Sequence, residues 1–404
     1  MYERNLYIDK IRPFINKPVI KVITGMRRVG KSCLIKLIIE MLKQDMEDRN
    51  RILYINKESL DFEFISDFKD LNRYVNKFFK GIKGEKYLFV DEIQEIDEWE
   101  KAITSLFSKG NIDIYVTGSN AHLLSSEIAT LISGRFIEFP VYTLSFAEFL
   151  LFRKDKKEDI ETEFLNYMKF GGFPAIHYFD LNEEVIYQYV NSLYNTILLK
   201  DVVKRNGVRN VYLLEKIIRY IFDNVGNIFS AKKISDFIKS QKIKVSMETV
   251  QNYISYLLSA FAIHKTSRYD IRGKRLLELH EKYYIGDSSL KYAMLGYKET
   301  AISGMLENIV FLELKRRGYN IHVGKYDNKE IDFIAEKENK KIYIQVAYLL
   351  ASTETIEREF STLERIKDNH PKYVISMDKI FGHDSAGIKR LNLIDFLLHN
   401  ELLN

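Results

Sequence analysis

The sequence predicts an α/β fold: a parallel sheet covered by helices, then a mainly helical stretch, then a second α/β segment. Three observations predict it. Short apolar, β-branched runs alternate with helical periodicity in the first third of the chain. The glycine-rich stretch Gly25–Ser32 lies between the first such run and the first helix. The pattern turns to helix after about Leu144. The 404 residues suffice for two to four domains of roughly 100–200 residues each. Apolar residues at 46% and charged residues at 29% fit a globular protein with a substantial core. The formal net charge of +5 is spread along the chain and does not by itself argue for nucleic acid.

One cysteine, Cys33, excludes an internal disulfide and fits a reducing cytoplasm. Its position after Ser32 reads as a small buried helix residue. The charged start Met1-Tyr2-Glu3-Arg4-Asn5 has no signal-like apolar run. No stretch approaches the ~18 apolar residues of a membrane span. The expectation is a cytoplasmic protein without a membrane partner.

The elements follow in order. Val19–Thr24 reads as a strand, Cys33–Asp48 as a helix and Arg51–Asn56 as a strand. Tyr87–Val90 is a strand ending in paired acids, Trp99–Lys109 a helix and Ile112–Thr117 a strand. Phe164–Lys169, Val185–Tyr194 and Val211–Phe222 have helical spacing, interrupted by Gly171-Gly172-Phe173-Pro174. Two helices, Ala231–Ser240 and Met247–Leu258, precede strands Ile263–Tyr269 and Leu276–Ile285, which the basic loop Asp270–Arg275 joins. That order is the order of a winged helix. A helix at Leu306–Arg317 and strands at Ile331–Ala335, Ile342–Ala347 and Tyr373–Met377 complete the chain. The expected domains are 1–150, an α/β core; 151–209, a helical lid; 210–290, a winged helix; and 300–404, an α/β tail. The linker falls near Lys291–Ser303.

Gly25-Met26-Arg27-Arg28-Val29-Gly30-Lys31-Ser32 matches the phosphate-loop pattern G-x-x-x-x-G-K-[ST]. Its glycines let backbone N–H groups face a phosphate, Lys31 reaches the β/γ-phosphates, and the Ser32 hydroxyl ligates Mg²⁺. The loop opens into a helix N-terminus, beside Cys33, which also favours an anion. The expected cofactors are therefore ATP and Mg²⁺. Tyr87-Leu88-Phe89-Val90-Asp91-Glu92 supplies the second half of such a site: Asp91 for Mg²⁺ and Glu92 to activate water. An ordinary strand end followed by solvated acids reads the same way in isolation. Ser119 and Asn120, after Thr117-Gly118 at the next strand end, are candidates to touch the γ-phosphate or the water. Gly-Ser-Asn is also plain turn chemistry.

On these motifs the chain resembles an AAA-type P-loop ATPase family of bacteria and archaea that carries a C-terminal domain of unknown function. The resemblance rests on Gly25–Ser32 with its Arg27-Arg28 pair, Val90–Gln94, Thr117–Ser119 and Ser133-Gly134-Arg135-Phe136. Leu144–Phe149 and Gly171–Pro174 add to it. The resemblance implies that Arg135 acts as a finger or sensor toward the γ-phosphate, in the same or a neighbouring subunit of a homo-oligomer. It also implies that the Gly171–Pro174 motif, with Pro174, lines the adenine. Arg27 and Arg28 either contact phosphates or a partner, or are solvated. The implied output is a switch or remodelling action on a protein partner. DNA contact through the winged helix is the alternative, resting on Arg268, Arg272, Lys274 and Arg275 of the wing. The recognition helix, with Glu248, Gln251 and Asn252, has no basic face.

Glu307, Asp332, Gln345 and Ala347 are spaced like the acids and lysine of a restriction-nuclease-like fold. Gln345 stands where an acid is usual and Ala347 where a lysine is expected. The tail is therefore read as a nuclease-like fold that does not cut. A DNA-processing or defence nuclease under ATP control is the rival reading.

Overall fold

A computed structural model describes residues 2–44, 46, 48–124, 134–155, 158–298, 302–379 and 387–403. Ser133 of the Ser133–Phe136 motif and residues 299–301 of the expected linker lie outside them. The chain divides into two compact units, Met1–Val141 with Ser259–Phe261, and Tyr142–Leu258 with Ala262–Asn404.

The first unit is built on five parallel strands in the order β2-β3-β4-β1-β5. They are β1 (Ile20–Thr24), β2 (Ile52–Asn56), β3 (Lys86–Asp91), β4 (Ile112–Gly118) and β5 (Phe136–Pro140). Helices α1 (Asn5–Ile11), α2 (Lys31–Gln44), α3 (Phe68–Phe78) and α4 (Trp99–Phe107) accompany them. Every residue of β1 is buried, as expected of an internal strand in a sheet with both faces covered. Val22, Ile55, Leu88, Val90 and Val116 of the sheet form one core with Leu71, Val75, Ile103 and Leu106 of the helices.

The sequence reading has no counterpart for α3 or β5. β5 is an edge strand with weak alternation that ends in Pro140, a position an edge tolerates because the missing N–H faces no ladder partner. Cys33 is exposed, contrary to the expectation of burial. The buried residues of α2 are Lys31, Leu34, Ile35, Ile38, Ile39 and Leu42, and at 3.6 residues per turn Cys33 falls on the other stripe.

A charged pair is sealed inside this sheet. Lys21 of β1, fully buried, forms an ion pair with Asp113 of β4. Asp113 also accepts from Asn16 N–H and Tyr115 Oη, each at 2.9 Å. Burial pulls the Lys21 ammonium below its ordinary pKa, and Asp113 works against that pull.

The second unit begins with helices α5 (Phe146–Phe152), α6 (Ile160–Phe170), α7 (Glu183–Thr196) and α8 (Val211–Asp223), with a π-helical stretch at Ile197–Lys204. Strand β6 (Ile228–Phe229), helices α9 (Ala231–Ser240) and α10 (Met247–Ser259), and strands β7 (Ile263–Asp270) and β8 (Arg275–Ile285) follow. Helices α11 (Ser288–Leu295) and α12 (Ile302–Arg316) lead to β9 (Asn320–Tyr326), β10 (Lys329–Lys337) and β11 (Lys340–Val346). Helix α13 (Thr353–Glu364), strands β12 (Lys372–Ser376) and β13 (Ile388–Asn392) and helix α14 (Leu393–Leu398) close the unit.

Its eight strands form one sheet, β13-β12-β11-β10-β9-β7-β8-β6. Residues expected to form a separate lid, winged helix and tail thus share one unit, and the sheet continues across the expected break near residue 300. The reason is the parallel pairing of β7 with β9, with Arg268, Tyr269 and Asp270 opposite Val323, Gly324 and Lys325. Helix α12 is buried at every residue from Met305 to Leu314. Its fully buried Arg316 donates to the carbonyls of Thr143 and Leu144.

Replacing Asp113 with Ala leaves the Lys21 ammonium buried without a counter-charge, which costs about 3–5 kcal/mol. The double change Lys21→Met with Asp113→Leu removes both charges and is expected to restore most of that loss. Urea unfolding followed by the single tryptophan, Trp99, in the core of this unit, reads both. A double variant as unstable as Asp113→Ala rules out an unpaired charge as the cause.

Candidate functional site

Parallel strands release their C-terminal ends at one edge. The order β3-β4-β1 therefore brings Asp91-Glu92, Thr117–Asn120 and the loop from Gly25 side by side. The loop reverses direction through Gly25 (φ 144°), Arg28 (φ 67°) and Gly30 (φ 98°). A Cβ on Gly25 would stand 2.1 Å from the carbonyl oxygen of Val141, so only glycine fits there. The buried Arg4 guanidinium fixes the loop from outside, donating to Val29 O at 2.8 Å. Lys31, the first residue of α2, is buried and folds back over the loop, donating to Gly25 O at 3.0 Å and Met26 O at 3.1 Å. Its Nζ is 3.6 Å from Glu92 Oε1. Ser32 is half-buried in the first turn of α2.

Asp91 is buried and held by two hydroxyls. Tyr54 Oη donates to Oδ2 at 3.0 Å, and Thr117 Oγ1 donates to Oδ1. The same Thr117 oxygen accepts the Glu92 N–H at 3.0 Å. That bond helps fix Glu92 in the left-handed region, at φ 56°, a conformation a non-glycine residue adopts only where its surroundings over-determine it. The Glu92 carboxylate accepts from Ser119 Oγ at 3.0 Å and from the Gln94 amide. Burial works to raise its pKa. Lys31 and Arg27, together with the Gln94 and Ser119 donors, outweigh burial and hold the carboxyl below the ordinary glutamate value. Gly118 lets this cluster close: a Cβ there would stand 2.5 Å from Gln94 Oε1.

Lys31, Asp91, Glu92 and Ser119 thus converge with the loop glycines. Asn120 is buried where the chain turns away, its carbonyl accepting Leu123 N–H at 3.2 Å. Arg27 is buried and pairs with Glu58 at 3.1 Å, whereas Arg28 is exposed. Arg135 does not join the cluster. Its carbonyl accepts Ile20 N–H at 2.7 Å, which puts it at the start of β5, the opposite end of the parallel strands from the loop. At ~3.3 Å per residue, the length of β1 keeps it from its own phosphate loop. Tyr54, Thr117 and Gln94 had no role assigned from the sequence. Thr117 and Gln94 lie within quoted motifs, but nothing in the run Arg51–Asn56 singles out Tyr54.

In the second unit, Pro174 opens the turn Pro174–Tyr178. The glycines before it have a packing reason. Gly172 N–H donates to Asp287 at 2.8 Å, and a Cβ on Gly171 would stand 1.8 Å from that carboxylate. In the loop Asp270–Arg275, Arg272 pairs at the surface with Asp327 at 2.6 Å, and Lys274 and Arg275 are exposed.

Glu307 and Asp332 also meet, through a residue the sequence did not offer. Lys282 of β8 is buried within 2.7 Å of Glu307, 2.5 Å of Glu330 and 3.4 Å of Asp332. The ammonium that meets these acids comes from β8, a strand distant from them in sequence. Gln345 Oε1 accepts Asp332 N–H at 3.3 Å. Burial opposes the Lys282 charge, but the three acids more than compensate and hold it protonated.

Residues 17–150 match a model described as an AAA domain, and residues 161–301 a model described as a domain of unknown function (DUF8612). An uncharacterized protein of Haemophilus influenzae is 36% identical over 402 residues, 98% of this chain and 99% of its own length. An uncharacterized protein of Methanocaldococcus jannaschii is 34% identical, over 97% of this chain and 90% of its own length. Among solved structures, the ORC1 protein of Aeropyrum pernix in complex with DNA aligns with a TM-score of 0.33. Its identity is 11%, over 73% of this chain and 92% of that one. A DNA polymerase III gamma subunit-related protein of Thermotoga maritima gives 0.30 at 13% identity, over 63% and 84%.

Removal of the nearest cation should expose the burial effect on Glu92. In Lys31→Met, the midpoint of Glu92 protonation is expected to move upward. The carboxylate then keeps its charge over a narrower range as pH falls. Carbon-13 NMR of the side-chain carboxyl follows this directly, and an unmoved midpoint would rule out Lys31 as the main opposing charge.

Proposed function

Since the chain belongs to a family of AAA-domain P-loop proteins, whose nucleotide is ATP, we propose that it is an ATP-hydrolysing switch or remodelling protein. The observation that carries this reading is the convergence of Lys31, Asp91, Glu92 and Ser119 at one edge of the sheet. Lys31 exchanges its loop carbonyls for the β/γ-phosphates, and the N–H groups of the loop and of α2 surround the phosphate. Ser32 and Asp91 offer the hard oxygens that Mg²⁺ prefers, and Asp91 is already oriented by Tyr54 and Thr117. When bound, the ion supplies charge neutralisation across the phosphates. Glu92, kept ionised and aimed by Ser119 and Gln94, accepts the proton of the attacking water.

Arg135, at the far end of the strands, serves a neighbouring subunit's site in a homo-oligomer, not its own. Residues 210–290 have the helix-strand-helix-helix-strand-strand order of a winged helix, and we assign them with 300–404 to transmitting the nucleotide state to a protein partner. Pro174 lining the adenine, a lid at 151–209, a nuclease-like tail that does not cut and a cytoplasmic location complete the proposal. The rival reading is a DNA-processing effector. The exposed Arg272, Lys274 and Arg275 favour it, Arg272 being paired at the surface with Asp327.

Glu92→Gln is expected to bind ATP while turnover falls about 10²-fold or more, and undiminished hydrolysis would remove the role given to Glu92. Arg135→Ala is expected to lower turnover without weakening ATP binding, in a protein whose activity per chain rises with concentration. Full activity in a stable monomer, measured by light scattering beside the ATPase assay, excludes action between subunits. Plasmid nicking that requires ATP and is abolished by Asp332→Ala would favour the DNA-processing reading instead.

A further inference from the structure

The second unit holds a polar cavity of about 780 Å³, bordered by α11, α12, β10, β11 and α13. On one side stands Lys291 of α11. Its side chain is buried, with 4% of the residue exposed, and among the described residues it makes no hydrogen bond or ion pair. Burial and the nearby Lys298, a second lysine lining the cavity, both pull its pKa down, and Asp223 opposes them without reaching ion-pair distance. Lys291, Lys298 and Arg358 line this space together with the carboxylates of Asp223, Glu307, Asp332 and Glu359; Arg358 pairs with Glu359, and among the described residues no carboxylate lies within ion-pair distance of Lys291.

The floor of the cavity differs from a bare acidic cluster. Lys282 already bridges Glu307 and Asp332, and the second Asp332 oxygen accepts Val346 N–H at 2.9 Å. Burial, reinforced by Asp332 and opposed by Lys282, pushes the Glu307 carboxyl above the ordinary glutamate range, and Lys282 and Tyr284 both donate to it. An ammonium occupies the space between the acids, where a divalent ion would otherwise be required. The volume exceeds what one phosphate fills. At the rim, Tyr348 is 45% exposed and offers a stacking face, and Gln345 lines the wall beside it.

We propose that this cavity binds a nucleotide unit, its phosphate on Lys291 and Lys298 and its base against Tyr348, without a divalent metal and without cleavage. The unit is either a free mononucleotide or the phosphorylated end of a single strand, which share this chemistry. The site is separate from the phosphate loop and does not depend on the ATP reading.

The test uses the full chain in EDTA with a short fluorescent single-stranded oligothymidylate carrying a 5′-phosphate, read by anisotropy, with AMP as competitor. The strand is expected to bind. Displacement by AMP at comparable concentration assigns the free nucleotide, and failure of AMP to displace it assigns the strand end. Lys291→Met is expected to weaken binding at least tenfold while keeping or raising the melting temperature, since it removes a charge that burial disfavours. The exposed position makes Tyr348→Ala a second variant, with a similar loss expected. Lys31→Ala is expected to leave probe binding unchanged. Equal binding by wild type and both cavity variants overturns the proposal. So do loss of binding in Lys31→Ala, a requirement for divalent cation, or no binding of either probe.

Discussion

Parallel pairing of β3, β4 and β1 is the constraint on which the candidate site depends. In such a sheet all C-terminal strand ends emerge at one edge. The phosphate loop, the Asp91-Glu92 pair and the Thr117–Asn120 turn are far apart in sequence and become neighbours only because β4 lies between β3 and β1. The Lys21–Asp113 pair, sealed between β1 and β4, supports that adjacency. It makes a shifted register costly, because a slip would separate two buried charges.

Within the site, polar side chains restrain one another. Thr117 serves two masters, donating to Asp91 and accepting from the backbone of Glu92. Glu92 is thereby held in a left-handed conformation, with its carboxylate among Lys31, Ser119 and Gln94. Low local dielectric makes each of these bonds stronger and makes the loss of any one costly. Although Glu92 is buried, Lys31, Arg27 and these donors hold its carboxyl below the ordinary glutamate value.

The second unit solves a different problem with a different device. Helix α12 is buried on nearly all sides and carries polar residues with specific partners: Glu307 to Lys282 and Tyr284, Asn308 to the backbone of Ile285, and Arg316 to the carbonyls of Thr143 and Leu144. One helix thus ties together β8, the segment before α5 and the cavity floor. The hairpin of β7 and β8 is drawn into the same sheet by β9, which is why its basic loop is partly anchored.

The sequence by itself determined the phosphate loop, the strand-end acids and the positions of most helices and strands, because these are local: a spacing, a period or a turn residue states them. It missed β5, whose apolar pattern is weak, and α3, although Phe68, Leu71, Val75 and Phe78 recur at helical spacing, and it misjudged Cys33, whose exposure depends on which stripe of α2 meets the sheet. Only the tertiary structure decided that Tyr54 and Thr117 orient Asp91, that Arg135 stands at the far end from its own loop, and that Lys282 reaches Glu307 and Asp332. Each of these depends on strand order and pairing between distant segments. No periodicity along a single chain encodes which residues such pairing will bring within 3 or 4 Å of one another.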